Sequence, residues 1–186
     1  MNCPNAVDGE PCNACEICKG LDNGTIYDVV EIDAASNNGV DNIRDLREEV
    51  NYTPTRGKYR VYIIDEVHML STGAFNALLK TLEEPPAHVI FILATTEVHK
   101  LPATILSRCQ RFDFKRIQPE TMAVRLQQVA GLEGMELAPD AATLIARIAD
   151  GALRDGLSIL DQCAGRSKQI TAQLVSEVAG LAGREA

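Results

Sequence analysis

The sequence predicts an α/β fold: a parallel sheet with a cysteine knuckle at its start, followed by a small all-helical domain. Three observations lead there. Short apolar segments alternate with amphipathic ones as far as Arg116, as strands and helices stacked in layers do. Beyond Gln118 only helical periodicity remains. Four of the six cysteines, Cys3, Cys12, Cys15 and Cys18, fall within the first 18 residues.

The knuckle comes first. Its pattern is Cys3-x8-Cys12-x2-Cys15-x2-Cys18, and two-residue gaps let neighbouring thiolates converge on one ion. Pro4, Gly9 and Pro11 supply turn chemistry. Zn²⁺ in a structural role takes four soft ligands in a closed tetrahedron, which leaves no open position for catalysis. A redox Cys-x-x-Cys pair, unconnected thiols and an iron–sulfur cluster are the competing readings. A secreted disulfide domain would spread its cysteines through the chain.

The sheet follows. Tyr27–Asp33 reads as a strand, and Asn37-Asn38-Gly39 as a turn. Ile43, Leu46 and Val50 recur at helical spacing. Arg60–Asp65 is a nearly continuous apolar strand, expected where a parallel sheet is buried on both faces. Phe75, Leu78, Leu79 and Leu82 mark one face of the next helix, which Pro85-Pro86 ends. Val89–Ala94 is another buried strand, and Arg111–Phe114 a last short one. Four helices are then expected: one through Met122, Leu126 and Val129, and a second opened by Pro139-Asp140 and closed by Gly151. A third carries Leu153, Leu157 and Leu160, and Thr171 caps the fourth. The domains are drawn as 1–116, with the knuckle in about the first twenty residues, and 117–182.

Bulk properties set limits. The 186 residues are 46% hydrophobic, enough for a core, and no apolar run is long enough to span a bilayer. The start Met1-Asn2-Cys3-Pro4 is not that of a signal peptide, so a cytoplasmic location is expected. A net charge of −8 argues against broad, nonspecific nucleic-acid binding.

Four motifs carry chemistry. The strand Val61–Ile64 delivers Asp65 and Glu66 at its carboxyl end, where open α/β sheets bind ligands. There the first acid can help hold Mg²⁺ and the second can orient or deprotonate an attacking water. The next strand ends in Thr95-Thr96, whose hydroxyls can sense a phosphate. Arg108, in Ser107-Arg108-Cys109, and Arg154, in Gly151-Ala152-Leu153-Arg154-Asp155, can stabilise phosphoryl charge. Taken singly, each has an ordinary surface or turn reading.

In this order the motifs resemble the AAA+ clamp-loader ATPases, of the gamma/tau type of bacterial DNA polymerase III. The resemblance extends through Glu31–Ser36, Phe75–Pro86, Leu101–Cys109 and the four-cysteine knuckle, covering almost the whole chain. It implies an AAA+ P-loop-type sheet with an inserted zinc knuckle and a helical lid. Asp65 and Glu66 would be the Walker B pair, Thr96 the sensor-1 position, and Arg108 an arginine finger acting in trans. Arg154 would be sensor 2, and Cys3, Cys12, Cys15 and Cys18 the zinc ligands. ATP and Mg²⁺ would be the family's cofactors. Its partners would be further gamma/tau copies, delta, delta-prime, the sliding clamp and primer-template DNA, with no membrane. Intact Asp65-Glu66 favours the hydrolysing type over the delta-prime subunit, which is similar but does not hydrolyse ATP. Arg44 is a weaker candidate for DNA contact.

The family's G-x-x-x-x-G-K-[ST] loop occurs nowhere in these 186 residues. The expectation is of a fragment without the phosphate loop, the first strand and the collar. Alone, it should neither bind ATP tightly nor hydrolyse it, and open sheet edges should make it marginally stable or self-associating.

Overall fold

The computed structural model describes residues 1–180. The predicted end of the helical domain at 182 lies outside the described residues. The chain divides into two compact units, Met1–Arg111 and a second beginning at Phe112.

The first unit opens with the knuckle and a short helix α1 (Glu16–Asp22), then alternates β1 (Val29–Asp33), α2 (Val40–Glu49), β2 (Arg60–Asp65), α3 (Thr72–Glu83) and β3 (Val89–Leu93). A 3-10 turn (Val67–Met69) follows β2, a second (Val98–Lys100) follows β3, and α4 (Ala103–Leu106) comes next. The three strands are parallel in the order β1-β2-β3, with Asp33 opposite Asp65 and Ile64 opposite Leu93. All three carboxyl ends therefore lie along one edge.

Alternation along the strands decides what is buried. Tyr62 and Ile64 of β2 and Val89 of β3 pack with Ile43 and Leu46 of α2 and with Ala74, Phe75 and Leu78 of α3. The burial expected on both faces holds for β2, where Val61 is 4% exposed on the face opposite Tyr62 and Ile64, and not for the strands beside it. Two successive crossovers of one hand put α2 and α3 on the same side of the sheet. Val29 and Ile92 point the other way and stay more than a third exposed, at 38% and 39%. The expected strand at Arg111–Phe114 is also absent. A strand exists only through the ladder it completes, and this segment joins neither sheet of the described residues. Phe112 and Phe114 are accordingly exposed.

Two buried polar side chains fasten the loop that feeds β2. Asp28 is 1% exposed and accepts backbone N–H groups from Thr55 (2.6 Å), Arg56 (2.9 Å) and Gly57 (2.6 Å). Asn2 bonds both backbone groups of Tyr59, its Oδ1 accepting and its Nδ2 donating, each at 2.8 Å. Gly57 is required by this approach, because a Cβ there would come within 2.7 Å of the Asn2 amide.

Burial pushes the Asp28 carboxyl up, but the three backbone donors outweigh it and hold the group below its usual value. A depressed native value gives stability that is full above the unfolded-chain pKa, about 3.9, and is lost as pH falls through the lower native value. Asp28→Asn is therefore expected to cost roughly 2–3 kcal/mol at pH 7, a gap that begins to narrow only below about pH 4. Urea unfolding at pH 7 and pH 3 measures it, and equal midpoints at pH 7 would refute the assignment.

The second unit holds α5 (Pro119–Leu132), α6 (Pro139–Ile148), α7 (Leu153–Ala164) and α8 (Ala172–Val178) around Met122, Leu126, Ile145, Leu160, Cys163 and Val175. Proline opens α5 and α6, and the Thr171 hydroxyl caps α8 by accepting from Leu174. Two short strands unforeseen in the sequence, β4 (Glu136–Leu137) and β5 (Gln169–Ile170), pair in parallel. Gly151 has φ +85°, and a Cβ there would meet Arg116 Cβ at 2.5 Å, so this turn between α6 and α7 needs glycine twice over.

Candidate functional site

The knuckle is built by local chemistry. Asp8 and Gly9 both have positive φ, at 50° and 87°, as the central pair of a type I′ turn requires. Val7 and Glu10 close that turn with paired backbone bonds of 3.1 and 2.9 Å, which folds Cys3 back towards Cys12. Cys15 caps α1, its sulfur accepting from the Cys18 amide at 3.4 Å. The amides of Cys12 and Cys15 point in the same way at the sulfurs of Cys3 and Cys12, each at 3.3 Å.

The four sulfurs lie within 4.8 Å of one another, and those of Cys12 and Cys18 are 4.0 Å apart. A tetrahedral ion with metal–sulfur bonds of about 2.3 Å needs sulfurs roughly 3.8 Å apart, so the cluster fits one. The donors also fit, because N–H groups aimed at sulfur stabilise thiolate. Backbone N–H groups of Ala14 and Cys15 lower the Cys12 thiol to about 6. Burial, reinforced by hydrogen bonds to neighbouring thiols, raises that of Cys18 to about 12. Ionising one thiol opposes ionising the next, an opposition that a cation at the centre removes.

The second constellation lies on the carboxyl edge of the sheet. Asp65 ends β2, and its Oδ1 accepts from the Glu66 amide at 2.9 Å. Glu66 then turns left-handed, with φ 47° and ψ 44°. Its carboxylate meets Thr96, just beyond β3, with Oε2 3.0 Å from Thr96 Oγ1 and 3.3 Å from Thr96 N. The amide of Val67 donates to Ala94 O at 3.0 Å and fixes the turn against the end of β3. Asp33, at the same edge of β1, accepts from the Ser36 hydroxyl (2.7 Å) and the Ala35 amide (2.9 Å), and the Ser36 bond chiefly lowers its pKa.

The structure thus brings Asp65, Glu66 and Thr96 together. Arg108 follows α4 and is engaged within its own chain, on Glu83 and on the Thr104 carbonyl (2.6 Å). Arg154 is the second residue of α7, in the other unit, exposed and without a hydrogen-bond or ion-pair partner among the described residues. Arg44 is exposed and paired with Asp41 at 2.9 Å. One participant escaped the sequence reading: His68, whose Nδ1 is 3.1 Å from Glu66 Oε2 and 3.0 Å from Thr95 Oγ1. Its place three residues after Asp65, with Thr95 ending the neighbouring strand, was the available signal.

Residues 1–118 match the family described as DNA polymerase III, delta subunit, and residues 121–168 match the ATPase lid domain of the DNA polymerase III clamp loader subunit. The chain belongs to the DNA polymerase III clamp-loader family. Within that family it is 59% identical to the DNA polymerase III subunit tau of Bacillus subtilis, over 91% of this chain and 30% of that protein. It is 48% identical to the tau subunit of Escherichia coli, over 97% of this chain and 28% of that one. The clamp-loader chain therefore spans less than a third of the length of these relatives. Its fold matches the Thermotoga maritima RuvB Holliday junction branch migration motor, with a TM-score of 0.68 at 15% identity, over 82% of this chain and 52% of that one. A gamma subunit-related protein of the same organism aligns with a TM-score of 0.51 at 26% identity, over 86% of this chain and 58% of that one. The expected parallel sheet and four-cysteine cluster are present in this chain, the helical lid matches a lid-domain family, and the fold is RuvB-like.

Proposed function

We propose that these residues form part of the ATPase motor of a gamma/tau-type subunit, which loads the sliding clamp onto primer-template DNA in the cytoplasm. The observation that carries the reading is the Asp65-Glu66 pair at the carboxyl end of β2, with Thr96 of the adjacent strand on Glu66. Asp65 would help hold Mg²⁺ and Glu66 would orient or deprotonate the attacking water, with Thr96 setting its angle. Arg108 would leave Glu83 to serve a neighbouring subunit's site, and Arg154 would report lid position. The knuckle would hold structural zinc on Cys3, Cys12, Cys15 and Cys18, and delta, delta-prime and further gamma/tau copies would be the partners. No helix of the described residues is long and apolar enough to cross a membrane.

A second reading is a non-hydrolysing, delta-prime-like interaction subunit. It is favoured by the delta-subunit family pattern over residues 1–118 and by the engagement of Arg108 within its own chain. One experiment separates the two. The whole subunit, with a G-x-x-x-x-G-K-[ST] loop ahead of these residues, is assembled into its loader and assayed for ATP turnover with clamp and primed DNA. Turnover is expected there, and neither tight ATP binding nor turnover from the 186 residues alone. An assembled loader indifferent to a lesion in Asp65 would sink the motor reading.

A further inference from the structure

His68 has no role in the chemistry above, yet it is the most enclosed polar side chain beside it. It sits in the 3-10 turn after Glu66, and its side chain is 8% exposed. Its Nδ1 faces two oxygens, Glu66 Oε2 at 3.1 Å and Thr95 Oγ1 at 3.0 Å. An ionised carboxylate only accepts hydrogen bonds, so the ring nitrogen facing it carries the proton. One N–H therefore serves two acceptors.

The two acceptors differ in what else holds them. Thr95 Oγ1 is anchored by the Glu97 amide, which donates to it at 3.0 Å. Glu66 stands on a left-handed backbone that its residue type rarely adopts. Its carboxylate is gripped from one side by Thr96, through Oγ1 and N, and from the other by His68. Oε2 takes all three contacts and Oε1 only a 3.3 Å approach from Thr96 Oγ1, so a rotation that brings Oε2 to a water must break one of them.

We propose that His68 is a positioning residue for Glu66, a donor with two stations. It aims the carboxylate while bonded to it, and it retains Thr95 as a partner when the carboxylate turns to the water. The move costs His68 no unpaired N–H in its enclosed site, which keeps the swing inexpensive. This rests on the reading of Glu66 as the group that acts on the attacking water. The effect falls on the chemical step and not on nucleotide binding, since His68 faces the carboxylate.

The test uses the whole subunit assembled into its loader. His68→Leu is expected to lower kcat for ATP by about tenfold to a hundredfold, with KM and the affinity for a non-hydrolysable ATP analogue within about twofold. His68→Asn places an amide N–H close to where the ring Nδ1 lies and should restore kcat to within about threefold of the parent. His68→Gln carries its donor further out and should be as slow as His68→Leu. Should His68→Leu fail to assemble, the Asn and Gln variants decide. Equal rates for those two overturn the proposal, as does a loss of analogue affinity in step with kcat. Glu66→Gln separates the two layers. If it turns over like the parent, the reading of Glu66 fails and His68 with it; if it is inactive while His68→Leu runs at the parental rate, only the role of His68 fails.

Discussion

Chelating the ion from the knuckle, or replacing Cys15 by serine, is expected to unfold the first two dozen residues and to lower the melting temperature of the whole unit. Helix α1 has seven residues, too short to persist without tertiary support. The knuckle has no disulfide, and the segment's one β-bridge joins Val7 to Glu10. In the proposed zinc knuckle the convergence of four sulfurs on the cation would hold the segment, and structural zinc in small peptides contributes on the order of 10 kcal/mol at neutral pH. Cys15→Ser isolates the ligand's share, because a serine Oγ can still accept from the Cys18 amide at the start of α1 as the sulfur does. Metal analysis should find about one zinc per chain in the parent. Hydrogen exchange across Glu16–Asp22 should accelerate strongly on chelation. Protection unchanged by a strong chelator would show that the ion is dispensable, and iron with sulfide would replace zinc in the assignment.

The second large effect is on turnover. Glu66→Gln keeps the side chain's length and one oxygen for Thr96, but it loses the charge that can take or orient a proton. In the assembled loader kcat is expected to fall by about 10²–10⁴, while affinity for a non-hydrolysable ATP analogue stays within about threefold. The split follows from the geometry. Glu66 is tied to Thr96 and His68, whereas no G-x-x-x-x-G-K-[ST] loop, whose amides would bind the phosphates in the proposed motor, occurs in these 186 residues. A variant that turns over within a few-fold of the parent would remove Glu66 from the chemistry.

Some of this was legible in the sequence for physical reasons. The runs Val61–Ile64 and Val89–Leu93 announce buried strands because parallel strands tolerate little polarity, and the acids after the first mark its carboxyl end. The Cys-x-x-Cys spacing announces a four-cysteine cluster because its geometry is local. Other features depend on distant partners. Arg111–Phe114 reads as a strand by alternation, but alternation does not say which neighbour would complete its ladder. Asp28 and Asn2 look like ordinary polar residues; their roles appear only when loop 55–59 returns to them. His68 likewise needs Thr95, twenty-seven positions away, to become more than one residue of the turn after Glu66.

Asn2 has a consequence that reaches across the unit. Its carboxamide meets both backbone groups of Tyr59 as a neighbouring peptide would. Cys3 follows it directly, so one peptide bond joins a sulfur of the knuckle to the frame of β2. The strand gripped at its entrance by Asn2 is the one whose far end presents Asp65 and Glu66. An ion in the proposed knuckle would therefore steady, through Cys3 and Asn2, the entrance of the strand whose far end carries the acids, like a peg at the quiet end of a string.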